Sequence, residues 1–178
     1  MEQVTLGDKT FVKYISEAEI EKEITRIAQE IDNDYKDDTP IFIITLNGAI
    51  FFAVELLKKI SIDTYLTCIR LSSYEGTSST EEVKNLIGLK ENLSRKRVIV
   101  LEDIIDTGNT YEHIIKMLEK ENVKDIRIAT LAFKPDAYKK NHPIQYIGFS
   151  IPNKFVVGYG LDYDGRGRNL RDIYQLEE

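Results

Sequence analysis

The stretch that most constrains this chain is residues 98–110, Val-Ile-Val-Leu-Glu-Asp-Ile-Ile-Asp-Thr-Gly-Asn-Thr. Val98, Ile99, Val100 and Leu101 form an uninterrupted apolar run, the pattern of a strand buried on both faces inside a parallel sheet. Three carboxylates follow within five positions, at Glu102, Asp103 and Asp106. Thr107, Gly108, Asn109 and Thr110 then make a small polar turn, and the turn opens a helix. That helix is predicted from Tyr111, Ile114, Ile115 and Leu118, which fall at i, i+3, i+4 and i+7. Strand, acidic edge, small turn and helix start together describe a phosphate pocket beside a hydroxyl or metal pocket. Helix N-terminal N–H groups and hydroxyls hold an anion, and carboxylates accept from sugar hydroxyls or bind Mg²⁺. An ordinary strand-to-helix junction needs only a polar turn, with an acid to favour the helix dipole. Neither G-x-x-x-x-G-K-[ST] nor G-x-G-x-x-G occurs.

At 178 residues the chain fits one domain, taken here as 1–178. Its net charge of −6 argues against nucleic acid as the main partner, which would need a basic face. A single cysteine excludes an internal disulfide, and with two histidines it does not make a zinc site. There is no N-terminal apolar segment of the export type and no run long enough to span a membrane, so a cytoplasmic protein is expected.

Upstream, Ser16 and Glu19 read as a capping box, with Ile15 and Ile20 as the hydrophobic staple around it. Ile20, Ile24, Ile27 and Ile31 continue that helix along one face. A second buried strand is predicted over 41–45, and Leu46-Asn47-Gly48-Ala49 turns from it into a helix ending at Lys59. Ile50, Phe51, Phe52, Ala53, Val54, Leu56 and Leu57 leave that helix little polar surface, so a subunit contact is expected on it. Further strands are predicted over 65–71, 82–89, 125–133 and 145–151. Residues 72–81 are small or polar apart from Tyr74, the composition of a mobile loop.

Glu-Asp-x-x-Asp-Thr-Gly-x-Thr after a buried strand resembles the phosphoribosyl pyrophosphate (PRPP) motif of the type I phosphoribosyltransferases. A second string, Ile151-Pro152-Asn153-Lys154-Phe155-Val156-Val157-Gly158-Tyr159-Gly160-Leu161-Asp162-Tyr163, is similar to the base-binding segment of the hypoxanthine(-guanine) members. The resemblance is scattered over residues 40–171. It implies an α/β fold, a mostly parallel sheet flanked by helices, with a small hood made from the chain ends. It implies transfer of the phosphoribosyl group from PRPP to a 6-oxopurine base, hypoxanthine and also guanine, with Mg²⁺ accompanying the pyrophosphate. Other bases such as xanthine, or an RNA-binding regulator on the same fold, are the alternatives.

Residue by residue, the resemblance assigns PRPP to Glu102, Asp103, Asp106, Thr107, Gly108, Asn109 and Thr110. Glu102, Asp103 and Asp162 are expected near the metal, and Asp106 is the expected general base, facing purine N7. The pyrophosphate loop matches Leu46, Asn47 and Gly48, although relatives often carry Lys where this chain has Asn47. Arg168 aligns as the pyrophosphate-side arginine, with Arg166 a competitor introduced by the unusual Asp164-Gly165-Arg166-Gly167. Ser73 and Tyr74 match a flexible loop that closes over the reacting centre. Lys134 is the expected purine-reading lysine, Phe155 the stacking ring, and Val156 and Asp162 the main-chain contacts to the base. A homodimer or homotetramer is expected.

Overall fold

The computed structural model describes residues 2–72, 84–87 and 92–177. The chain begins with a hairpin, β1 (Gln3–Leu6) and β2 (Lys9–Ile15), paired antiparallel with Leu6 opposite Lys9. Its two-residue turn has Gly7 at φ 61° in the first central position, as a tight hairpin turn requires.

Helix α1 (Glu17–Asp34) starts as its sequence dictates. The Ser16 hydroxyl accepts from the Glu19 N–H at 3.3 Å, and the Glu19 carboxylate accepts from the Ser16 N–H at 2.9 Å. Ile20, Ile24, Ile27 and Ile31 are buried on one stripe. At the far end Tyr35 is buried beneath Arg97, whose guanidinium lies 4.2 Å from the ring centroid.

The remaining strands are β3 (Ile41–Leu46), β4 (Tyr65–Ser72), β5 (Lys84–Ile87), β6 (Arg97–Ile105), β7 (Asp125–Phe133) and β8 (Tyr146–Ser150). They form a six-stranded sheet in the order β5-β4-β3-β6-β7-β8, parallel throughout except for β5. Helix α2 (Ile50–Lys59) follows β3 and α3 (Asn109–Lys120) follows β6. Alternation along each strand divides the apolar runs between two cores. Phe42, Ile44, Ile99 and Leu101 pack with α1 and α2 on one side. Ile41, Ile43, Val98 and Val100 pack with α3 on the other. Covering helices on both faces are why these strands are apolar at every position.

The hood is a separate four-stranded sheet drawn from both ends of the chain, in the order β1-β2-β10-β9, where β9 is Val156–Val157 and β10 is Ile173–Leu176. Phe11, Val157 and Tyr174 form its own small core. The strand expected over 82–89 is described only at Lys84–Ile87. Of the loop expected over 72–81, Ser72 ends β4, and residues 73–81, with Ser73 and Tyr74, lie outside the described residues. Among the described residues no helix is long and apolar enough to cross a membrane.

One expectation is corrected. Both phenylalanines of α2 count toward the subunit contact expected from composition, but Phe52 is fully buried in its own chain's core with Ala53 and Leu56. The exposed apolar face is Ile50, Phe51 and Val54, at 43%, 40% and 49% exposure. A ten-residue helix lying on a sheet buries one stripe, so adjacent phenylalanines diverge.

Candidate active site

Parallel strands deliver their carboxyl ends to one edge, and the candidate site is built there. A cavity of about 800 Å³ is lined by the ends of β3 and β6, the turn into α3, and Asp162 and Arg168 from the segment after β9. Register sets the first contact. Ile44 pairs with Leu101, so Thr45 stands beside Glu102, and its hydroxyl donates to Glu102 Oε1 at 3.1 Å. Glu102 is buried, and burial together with the neighbouring Asp103 carboxylate holds its pKa well above the ordinary range. Burial also raises Asp103, opposed by the N–H of Ile104, which donates to Asp103 Oδ1 at 2.9 Å. Gly48 lies directly against Asp103, where a methyl group would overlap the carboxylate. The Leu46–Asn47 peptide bond just before it is cis.

The next contact comes from the β6–β7 register. Ile105 pairs with Phe133, and the Lys134 N–H donates to the Ile105 carbonyl at 2.9 Å. Asp106 and Lys134 therefore leave the sheet side by side, and Lys134 Nζ lies 2.7 Å from Asp106 Oδ2. Lys134 is buried, whereas the Asp106 side chain is 43% exposed. A carboxylate here has an ordinary alternative role, capping the helix that follows. That role falls away, because the N-cap of α3 is Gly108, at φ 85°, with no side-chain cap. The first N–H groups of α3 are left for an anion. Gly108 has no room for a side chain: a Cβ would lie 2.5 Å from the Tyr138 ring and 2.9 Å from Lys140 Cγ.

Arg168 reaches the cavity and Arg166 does not. Arg168 Nη2 lies 2.6 Å from Asp162 Oδ1, and Nη1 donates to the Gly160 carbonyl at 2.6 Å. Asp162 Oδ2 also accepts from the Gly165 N–H at 2.7 Å. Arg166 sits exposed in a tight turn, its backbone paired with Tyr163.

Of the residues singled out from sequence, Leu46, Gly48, Glu102, Asp103, Asp106, Thr107, Gly108, Asn109, Thr110, Asp162 and Arg168 share the cavity wall. Asn47, Lys134, Phe155 and Val156 are not on that wall. Asn47 is exposed beside it, and Lys134 joins it through Asp106. Val156 is buried in β9. Phe155 is 45% exposed in the hood, its ring edge-on to Tyr163 at 6.0 Å and tilted against Phe11 at 6.2 Å. Thr45, Glu112, His113, Lys116 and Lys140 also line the cavity, and no sequence pattern marks them. For Thr45 the missing information is strand register; Lys140 follows β7 by several residues with no motif around it.

Among the described residues, no three of His, Cys, Asp and Glu converge to hold a metal by themselves. Asp162, expected beside the metal, is engaged by Arg168 and the Gly165 N–H. Glu102 and Asp103 remain as hard oxygen donors whose burial penalises their charge, a penalty that an added cation relieves. That donor set suits Mg²⁺, which takes one or two protein carboxylates and fills its octahedron with water and substrate oxygens.

Comparison with known proteins points to one family. The family described as phosphoribosyl transferase domain matches residues 14–164. The hypoxanthine-guanine phosphoribosyltransferase of Bacillus subtilis is 39% identical over 166 residues, covering 92% of this chain and 91% of that protein. The hypoxanthine phosphoribosyltransferase of Escherichia coli K12 is 38% identical over 159 residues, covering 88% of this chain and 89% of that one. A Bacillus anthracis hypoxanthine-guanine phosphoribosyltransferase, solved with HEPES in its active site, superposes with a TM-score of 0.87 at 34% identity. That match covers 93% of this chain and 98% of the other.

Proposed function

The chain belongs to the phosphoribosyl transferase family, and from that membership we propose that it transfers the 5-phosphoribosyl group of PRPP to hypoxanthine and guanine, releasing pyrophosphate and giving the nucleoside 5′-monophosphate. The observation that carries the choice of base is the 2.7 Å contact between Lys134 and Asp106. It joins a buried ammonium, able only to donate, to the carboxylate at the head of the phosphate turn. A 6-oxo group accepts such a bond, whereas the 6-amino group of adenine offers another donor.

Each residue then has a task. The N–H groups and hydroxyls of residues 107–110 hold the 5′-phosphate at the start of α3. Glu102 and Asp103 accept from the ribose hydroxyls. Gly48 and its neighbours Leu46 and Asn47 face the pyrophosphate, and Arg168 neutralises charge on it as the C1–O bond breaks. Phe155 stacks on the purine, and main-chain groups of Val156 and Asp162 meet its edge. Asp106 takes the proton that the imidazole ring sheds when N9 attacks C1. Mg²⁺, held through Glu102 and Asp103, supplies further positive charge to the pyrophosphate oxygens when bound.

We also infer that a second copy covers the Ile50, Phe51 and Val54 face of α2, giving a two-fold dimer as the unit of assembly. The test of the activity is turnover of hypoxanthine, guanine, xanthine and adenine, each with PRPP. Hypoxanthine and guanine should be the good acceptors. Efficient use of adenine would overturn the role of Lys134, and no pyrophosphate release with any base would overturn the transferase reading.

A further inference from the structure

Arg168 reaches the cavity from a glycine-rich loop, and both partners of its side chain, Asp162 and the Gly160 carbonyl, belong to that same loop. Residues 163–166 close a tight turn in which the Tyr163 and Arg166 backbones exchange two hydrogen bonds of 3.0 Å. Asp164, Gly165 and Gly167 all have positive φ, at 49°, 76° and 88°. Glycine is the residue least restrained in that region, so a loop of this composition draws its rigidity from what packs against it. Here that neighbour is the first hairpin.

Leu6, the last residue of β1, sits on Gly167, where a Cβ would lie 2.6 Å from Leu6 Cδ1. Gly167 is buried there, whereas Arg166 before it is exposed and Arg168 after it is half-buried. Past the hairpin turn, Asp8 Oδ1 accepts from the Tyr163 hydroxyl at 2.7 Å. Lys9 Nζ lies 4.8 Å from the centroid of the same ring. The hairpin thus grips the residue just before Arg168 and the residue just after Asp162, the two members of the ion pair on the cavity wall. Leu6 occupies the space that a side chain at position 167 would take.

We propose that Leu6, assisted by Asp8, is a positioning residue for the pyrophosphate half of the reaction: by seating Gly167 and Tyr163 it presents Arg168 and Asp162 to the cavity as a pair. The inference rests on the transferase reading, which gives Arg168 the pyrophosphate as its partner. A guanidinium already in place binds its anion without the cost of ordering the segment that carries it. The plainer account is that Leu6 only completes the small hood core of Phe11, Val157 and Tyr174. On that account its loss loosens the hood as a whole, the Phe155 ring included, and weakens base and pyrophosphate alike.

The test compares pyrophosphate and GMP as inhibitors of wild type and Leu6→Ala at constant free Mg²⁺. Melting temperature falls on either account, so the inhibition constants carry the distinction. Pyrophosphate inhibition should weaken about fivefold, short of the tenfold or so that loss of a whole charge-assisted contact costs. GMP inhibition should stay within about twofold of wild type, the scatter of independent sites. Leu6→Met refills the space over Gly167 and should restore the wild-type values. In an Arg168→Met background no guanidinium is left to place, and Leu6→Ala should weaken pyrophosphate no further. Asp8→Ala spares the core and should shift pyrophosphate the same way by about twofold, as an exposed contact does; it reads the same effect where Leu6→Ala does not fold. Unchanged pyrophosphate inhibition in the folded variants, an equal weakening of GMP, or a further loss in the Arg168→Met background would overturn the role of the hairpin alone. A wild-type protein that pyrophosphate does not inhibit would overturn the transferase reading and this role with it.

Discussion

Asp106→Asn separates the ion pair that this side chain makes from the proton transfer proposed for it. The introduced amide keeps an oxygen to accept from Lys134 Nζ, which lies 2.7 Å from the native carboxylate, but it carries no charge and takes no proton. The stability cost follows from the unequal burial of the pair. Lys134 is 7% exposed and loses a charged partner, while the 43% exposure of the Asp106 side chain already lets water screen the attraction. Reducing a screened charge-assisted bond to an ordinary one costs about 1–2 kcal/mol. For a chain of this length that lowers the melting temperature by about 2–8 °C. Loss of a general base costs more in rate, and kcat should fall at least about a hundredfold. Thermal unfolding with and without PRPP checks folding and binding, and single-turnover kinetics isolate the chemical step. A displaced Lys134 would instead raise KM for the base while sparing kcat. A variant within about fivefold of wild type in the chemical step, far short of the loss expected for a base, would refute the assignment.

Three further outcomes are expected. Lys134→Ala should lose turnover with hypoxanthine and guanine while PRPP affinity, measured by protection against thermal unfolding, stays close to wild type. Glu102→Gln should inactivate the enzyme yet raise its melting temperature near neutral pH. The folded pKa of Glu102 lies above its ordinary 4.5, so its stabilising contribution is full below that value and is lost as pH rises through the folded pKa. The gain from Gln should therefore shrink as pH is lowered toward 4.5, and a pH-independent difference in melting temperature would contradict the buried-carboxyl argument. Phe51→Glu should shift sedimentation from dimer to monomer, and a wild-type protein already monomeric at micromolar concentration would dispose of the α2 interface.

What is legible in the sequence is local. Ser16 and Glu19 announce a helix start because both partners of the cap lie within three residues, and the observed capping box uses both. The 98–101 run announces a strand because both of its faces are covered, which leaves no polar position to confuse the pattern. Pairing across the sheet is not legible. Asp106 and Lys134 are 28 residues apart, and only the parallel register of β6 on β7 makes them neighbours. The same holds for Thr45 beside Glu102. β1, β2 and β10 leave too little signal because they form a thin sheet with a small core, so their outer faces are polar or half-exposed and their apolar positions few. In α2 the composition points to an apolar helix, but composition does not say which of two adjacent phenylalanines turns inward.

The order of strands in the hood bears on when during synthesis the protein can recognise a base. In β1-β2-β10-β9, the strand made after all the others lies in the interior of the sheet, paired with β2 on one side and β9 on the other. Every strand of the six-stranded sheet, the turn at residues 107–110 and the Asp106–Lys134 contact lie at or before β8, although Ile151, Val156, Tyr159, Leu161 and Ile173 complete the core on one of its faces. The strand-to-helix turn at residues 107–110 therefore belongs to an earlier segment than Asp162 and Arg168, which close the cavity, and than the strand for which the first hairpin waits. Until residues 173–176 have been made, β2 and β9 have no strand between them, and the ring of Phe155 has no finished sheet behind it. On the roles proposed above, the turn at residues 107–110 and Lys134 are thereby set by earlier segments of the chain, while the backing of Phe155, the proposed stacking ring, is completed by β10.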